Sequence, residues 1–183
     1  MTQIPVFAPD PARDWMFKYQ VEKLTAWWLH TAQLTTWLHQ YTVELTAVEV
    51  STAILAAKGF SPDMNIRPLD WKYRTYPRWA WEKYIIPDDR TNLRMPWPEK
   101  WDCDDFALDF KAKMASWYNT NAAGLVVDSS AGHVYNVIVF ADKTAEFFEP
   151  QRDKFVAKGD QIGLSTSPGG TGRYSLTQGL ILV

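Results

Sequence analysis

Cysteine is almost absent from this chain: Cys103 is the single thiol among 183 residues. One cysteine excludes an internal disulfide framework and a cysteine-based structural zinc site. Charge of one sign is missing too. Nineteen basic residues stand against twenty-one acidic ones, a formal net charge of −2. That argues against a nucleic-acid partner, whose binder normally carries a basic excess or stripe. No apolar run reaches the roughly eighteen residues of a membrane span. The opening residues, Met1-Thr2-Gln3-Ile4-Pro5, lack the basic-then-apolar pattern of a signal peptide. The expectation is a soluble protein of unknown compartment. Between Pro11 and Gly59 there is no glycine and no proline, so the usual helix breakers are missing from that stretch.

What is present divides the chain into three parts of one domain, 1–183. Within the first, Leu24, Thr31, Leu38, Leu45 and Thr52 recur at seven-residue steps, and Trp27, Leu34, Tyr41, Val48 and Leu55 follow three behind. This spacing predicts an apolar helical stripe over 14–58, as one helix or as two with a break near Gln40–Thr42. The stripe packs on its own chain or, in the second reading, forms a homodimer. Residues 61–100 hold six prolines and many aromatics, with Arg67, Arg74, Arg78, Arg90 and Arg94 between them. They read as ordered loop with short helical turns. Its arginines either stack on packed rings or build a surface for an anion or a sugar. The third part, 101–183, reads as a helix from Cys103 followed by an antiparallel sheet. Its strands are Gly124–Asp128, His133–Phe140, Glu146–Glu149 and Tyr174–Val183. Ten tryptophans supply large rings for a core or for a groove that takes sugar or peptide.

The chemistry concentrates in this third part. A thiol at the first turn of a helix has the helix dipole in its favour. Asp104 and Asp105 beside it suit that helix N-terminus but oppose the thiolate. The plain alternative is a small buried packing residue. His133 opens a strand after Gly132, and alternation puts it on one face with Tyr135, Val137 and Val139. A three-residue hairpin loop, Ala141-Asp142-Lys143, sets Glu149 opposite Tyr135 and diagonal to His133. A two-residue loop sends it to the other face. Cys103, His133 and Glu149 are thus candidates for nucleophile, base and orienter. His30 and His39 lie in the helical stretch and read as structural.

Asp102-Cys103-Asp104-Asp105-Phe106-Ala107, Gly132-His133 and Glu149-Pro150-Gln151 together resemble the papain-like and transglutaminase-like cysteine peptidases. Within that superfamily they resemble most the C-terminal cysteine-protease domain of fungal chimeric agglutinins. The resemblance covers about residues 95–151. It implies an α+β fold of papain-like/transglutaminase-like type, with N-terminal helices and the Cys-bearing helix packed on an antiparallel sheet. It also implies a catalytic Cys103–His133–Glu149 triad and calcium (Ca2+) dependence, with Asp104 and Asp105 as metal ligands and no organic cofactor. The chain departs from the pattern in two ways. No lectin repeat precedes residue 95, and no glutamine sits just before Cys103 to serve as an oxyanion donor. The function expected on this basis is a cysteine hydrolase, a thiol peptidase acting on a peptide or glycan-containing substrate. The alternatives are a carbohydrate- or protein-binding module on an inactive peptidase-like scaffold, or a peptidoglycan hydrolase or transglutaminase-like acyl transferase.

Overall fold

The computed structural model describes residues 11–57, 59–94, 102–163 and 172–183, with side chains from residue 22 onward. Trp97, Trp101 and the Pro168-Gly169-Gly170 stretch lie outside the described residues. Helix α1 spans Pro11–Leu38. The chain then tightens into a single turn at His39–Tyr41 and extends at Thr42. Strand β1, Val43–Thr46, follows, and then helix α2, Ala47–Leu55. The seven-residue pattern therefore does not stay on one helix. Its first half lies on α1, whereas Leu45 is buried from a strand. β-Branched residues crowd positions 42–50, and their stiff side chains favour extended backbone over helix. Helix α2 restarts behind a capping box, in which Thr46 and Glu49 each satisfy the other's backbone N–H.

The stretch read as loop contains two strands, β2, Met64–Arg67, and β3, Lys72–Thr75. Each is four residues long and bounded by proline or aspartate, too short to show a period of two. After β3 comes a helical run made of α3 (Arg78–Ala80), a wider π turn (Trp81–Ile85) and α4 (Ile86–Asp89). Its Trp81 and Ile85 are fully buried. Arg78 lies 4.1 Å over the Phe140 ring and bonds Glu146. Here the arginine packs on a ring rather than lining an open anion surface.

Helix α5, Cys103–Ser116, then leads into strands β4 (Ala123–Asp128), β5 (His133–Val139), β6 (Ala145–Glu149), β7 (Lys154–Val156) and β8 (Gly179–Leu182). Six strands form one sheet in the order β2-β8-β4-β5-β6-β7. β2 runs parallel to β8. The expected purely antiparallel sheet is therefore mixed: the edge strand comes from the early segment, and only long-range pairing puts it beside the C-terminal strand. β1 and β3 form a separate antiparallel pair.

The sheet is covered on both faces. Val126, Tyr135, Val137 and Phe147 pack with α2 residues on one side. Phe110 and Met114 of α5 pack with Ile138 and Phe148 on the other. Burying each such side chain stabilises the fold by roughly 2 kcal/mol. Asn136, on the α5 face, donates to the Ala107 and Gly124 carbonyls and so ties helix to sheet.

Candidate functional site: a thiol, an imidazole and a carboxylate at the sheet end

Asp102 caps α5 through a capping box with Asp105: the Asp102 N–H donates to Asp105 Oδ2 at 3.3 Å. This fixes the first turn and sets Cys103, half-buried, at its start. Helix α5 covers the Asn136 face of β5, whereas His133 belongs to the Tyr135 face. The helix N-terminus reaches the end of the sheet where β5 begins, so thiol and imidazole meet over the strand end. Gly132 carries a φ of 63°, a left-handed conformation that glycine adopts without a Cβ penalty. It delivers the chain into β5 with His133 first.

The hairpin register decides the third residue. Asn136 pairs Phe148, and Val139 pairs Ala145. Glu149 therefore lies opposite Tyr135, one step diagonal from His133. The loop is the three-residue one, Ala141-Asp142-Lys143. His133 Nε2 lies 2.7 Å from Glu149 Oε2, with both side chains almost wholly buried. The remaining ring nitrogen, Nδ1, is buried without a hydrogen-bond partner, and Cys103 is near enough to act on the ring. Burial works to lower the His133 pKa. Its interactions with Cys103 and with Glu149 outweigh burial and raise it to about 9. The arrangement thus holds a charged imidazole between a thiol and a carboxylate.

Two contributors have no role in the reading from sequence. Tyr174 donates its hydroxyl to Glu149 Oε2 at 2.8 Å. The Gln151 N–H donates to the other oxygen of Glu149 at 3.2 Å. Nothing in the local sequence around Tyr174 signals this, because it arrives from a segment twenty-five residues after Glu149. Gln151 could have been found, since a turn after a strand-end acid often returns a backbone N–H to it.

The expected calcium ligands are not presented as a pair. Asp105 is turned to the helix cap, and the acidic groups gathered at the thiol are Asp102 and Asp104. The ligand atoms of Asp102, Cys103 and Asp104 lie within 4.8 Å of one another. The hydrogen bond with Asp104, then burial, pushes Asp102 up to about 6. A thiol and two carboxylates fall short of the roughly six to eight oxygens that calcium takes. Among the described residues, Asp102, Cys103 and Asp104 are the group whose ligand atoms gather closely enough for a cation, and no chemistry is routed through one.

A second feature lies away from the thiol. A cleft of about 440 Å³ opens between α1 and the end of α5, lined by Trp28, Thr35, His39, Ser116, Trp117 and Asn119 among others. Trp28 is 61% exposed. Trp117 is held from behind by Trp27, edge-on at 4.7 Å.

Comparison with known proteins gives the family. Residues 69–162 match the model of the ricin-type beta-trefoil lectin C-terminal domain. No curated protein matches the sequence. Among solved structures, the chain is similar to PSL1a in a complex with E64, at 25% identity and a TM-score of 0.55, over 76% of this chain and 51% of that one. It is also similar to Polyporus squamosus lectin bound to the human-type influenza-binding epitope Neu5Acα2-6Galβ1-4GlcNAc. There the identity is 26% and the TM-score 0.52, over 75% of this chain and 49% of that one. The chain thus spans about half the length of these lectins.

These matches correct the earlier reading. The papain-like/transglutaminase-like resemblance and fold are replaced by a lectin family and lectin neighbours. The cysteine peptidase-like hydrolase, with its thiol-protease vocabulary, is not carried further. Of the functions weighed, the carbohydrate-binding alternative is the one favoured. The physical reason is one of scale. Three short motifs determine how a few side chains meet, whereas family membership rests on the whole of residues 69–162, the motifs included. No helix among the described residues is long and apolar enough to cross a membrane.

Proposed function

We propose, for a chain that belongs to the ricin-type beta-trefoil lectin C-terminal domain family, that it is the C-terminal unit of a glycan-binding protein. The observation that carries this reading is the family match over residues 69–162. The sialylated trisaccharide named with one neighbour supports it. The cleft between α1 and α5 is the surface on this chain best suited to a sugar. Tryptophan rings offer flat apolar area at low entropic cost, and the Thr, Ser and Asn side chains around them offer hydrogen bonds to hydroxyls. The test is NMR titration with Neu5Acα2-6Galβ1-4GlcNAc. Shifts confined to the Trp28 and Trp117 indoles, and lost in Trp28→Ala, support the cleft. Unchanged spectra at millimolar sugar would remove it.

A second reading rests on its own observation, the His133 that bonds Glu149 through Nε2 and has Cys103 near enough to act on its ring. We infer that this lectin unit carries a nucleophilic thiol centre. The thiol proton resides on His133, Glu149 holds the resulting imidazolium, and the sulfur attacks an electrophilic carbon. With iodoacetamide as probe, a C–S bond forms, the C–I bond breaks and iodide leaves. The complex of PSL1a with E64 supports testing E64 on this chain as well. At pH 7, wild type is expected to label at Cys103 about tenfold faster than His133→Ala, read by intact mass. Equal rates would make Cys103 a packing residue.

A further inference from the structure

Glu149 is buried, and its Oε2 accepts from two donors at once, His133 Nε2 at 2.7 Å and the Tyr174 hydroxyl at 2.8 Å. We propose that Tyr174 is the positioning residue of the thiol centre: its hydroxyl fixes the Glu149 carboxylate that holds His133. The inference rests on the thiol-centre reading and deepens it.

Three features make Tyr174 more than a neighbour. First, it is itself held in place. The Asp128 carboxylate is buried and accepts the backbone N–H groups of Ser175 and Leu176, at 2.9 and 2.8 Å on Oδ2. The Tyr174 N–H donates to the Asp160 carbonyl, and its own carbonyl accepts from Gly159. Second, its ring packs edge-on against both His133, at 5.8 Å, and Tyr135, at 5.1 Å. The imidazole thus lies against the Tyr174 ring. Third, Asp128 also accepts from the Tyr135 hydroxyl at 3.1 Å. The two tyrosines thus have different tasks. Tyr135 bonds to the anchor, whereas Tyr174 bonds to the carboxylate that faces the histidine.

The physical role follows from burial. A buried carboxylate keeps its charge only while donors solvate it. Glu149 has three: His133, Tyr174 and the Gln151 N–H. Removing the phenol leaves two, one on each oxygen. The carboxylate is then less firmly held against His133.

Tyr174→Phe isolates this effect, because it keeps the ring packing and deletes only the hydroxyl. Three quantities are to be measured in wild type, Tyr174→Phe and Tyr135→Phe: iodoacetamide labelling of Cys103 at pH 7, the His133 imidazole titration by NMR, and urea unfolding. Tyr174→Phe is expected to label about tenfold more slowly, the loss of one bond to a charged group, with the His133 midpoint moved down. Tyr135→Phe is expected to lose stability while leaving the His133 midpoint in place. If Tyr174→Phe fails to fold, 3-fluorotyrosine placed at position 174 supplies the second arm. Its more acidic phenol donates more strongly and holds the midpoint at or above the wild-type value. Wild-type labelling and titration in Tyr174→Phe, or equal midpoint shifts in both tyrosine variants, would overturn the assignment alone. Wild type labelling no faster than His133→Ala would overturn the thiol centre, and Tyr174 with it.

Discussion

At the scale of single residues, the energetics turn on His133. Its pKa of about 9 lies above the ordinary 6.5. A base with a raised folded value adds stability that is fully present below about pH 6.5 and is lost as pH climbs through about 9. The upper bound is on the order of 3 kcal/mol. The expected outcome is that urea stability of wild type falls across that window, and that the fall is absent from His133→Gln. Parallel curves for the two proteins would mean that the imidazole is neutral in the fold. Glu149→Gln should move the His133 midpoint down, because it removes one of the two partners that oppose burial and leaves the interaction with Cys103 alone against it. Gly132 matters at the same scale. Its left-handed φ of 63° costs an alanine about 1 kcal/mol, and any relaxation would displace the residue that follows.

At the scale of elements, the question is what holds helix α1 to the body, since it leaves Leu24, Trp28 and Leu29 exposed. Asp88, at the end of the helical run 78–89, is the clasp. It accepts from Trp27 Nε1 at 3.2 Å, from Thr31 Oγ1 at 2.8 Å and from the Tyr118 hydroxyl at 2.9 Å. Bonds to a charged acceptor are worth about 1.5–3 kcal/mol each, but they share one side chain and do not add. Asp88→Ala is expected to lower overall stability by about 2–3 kcal/mol. It should also raise amide exchange in α1 before the sheet exchanges. Uniform exchange across the whole chain would show that α1 does not open as a unit. Of the seven-residue pattern only Thr31, Leu38 and Leu45 are buried, whereas Leu24, Tyr41, Val48 and Leu55 are exposed. The pattern did not foretell the clasp, because Asp88 sits in a segment that reads as loop.

At the scale of the whole molecule, the C-terminal strand decides both stability and site. β8 is interior to the sheet, between β2 and β4, and Val183 accepts from the Tyr73 hydroxyl at 2.9 Å. At its start, a Cβ on Gly179 would overlap the Val127 carbonyl oxygen, so the two backbones meet there without room for a side chain. Deleting residues 179–183 would unpair two neighbours and unseat the segment that carries Tyr174. The expected result is loss of the cooperative urea transition together with loss of fast Cys103 labelling. A truncated chain that keeps both would show that β8 is dispensable.

Much of the site was determined locally and was legible without coordinates. A capping aspartate before Cys103, a glycine before His133 and a three-residue loop before β6 are short-range features. Each acts through backbone dihedrals or strand parity within a few residues, so together they bring Cys103, His133 and Glu149 to one end of the sheet. What tertiary structure alone decided lies at long range. The parallel β2–β8 pair joins residues more than a hundred positions apart, and Tyr174 reaches Glu149 from a separate segment. Local rules say which side chains can face one another, but the packing of distant segments decides which of those meetings the molecule is built around.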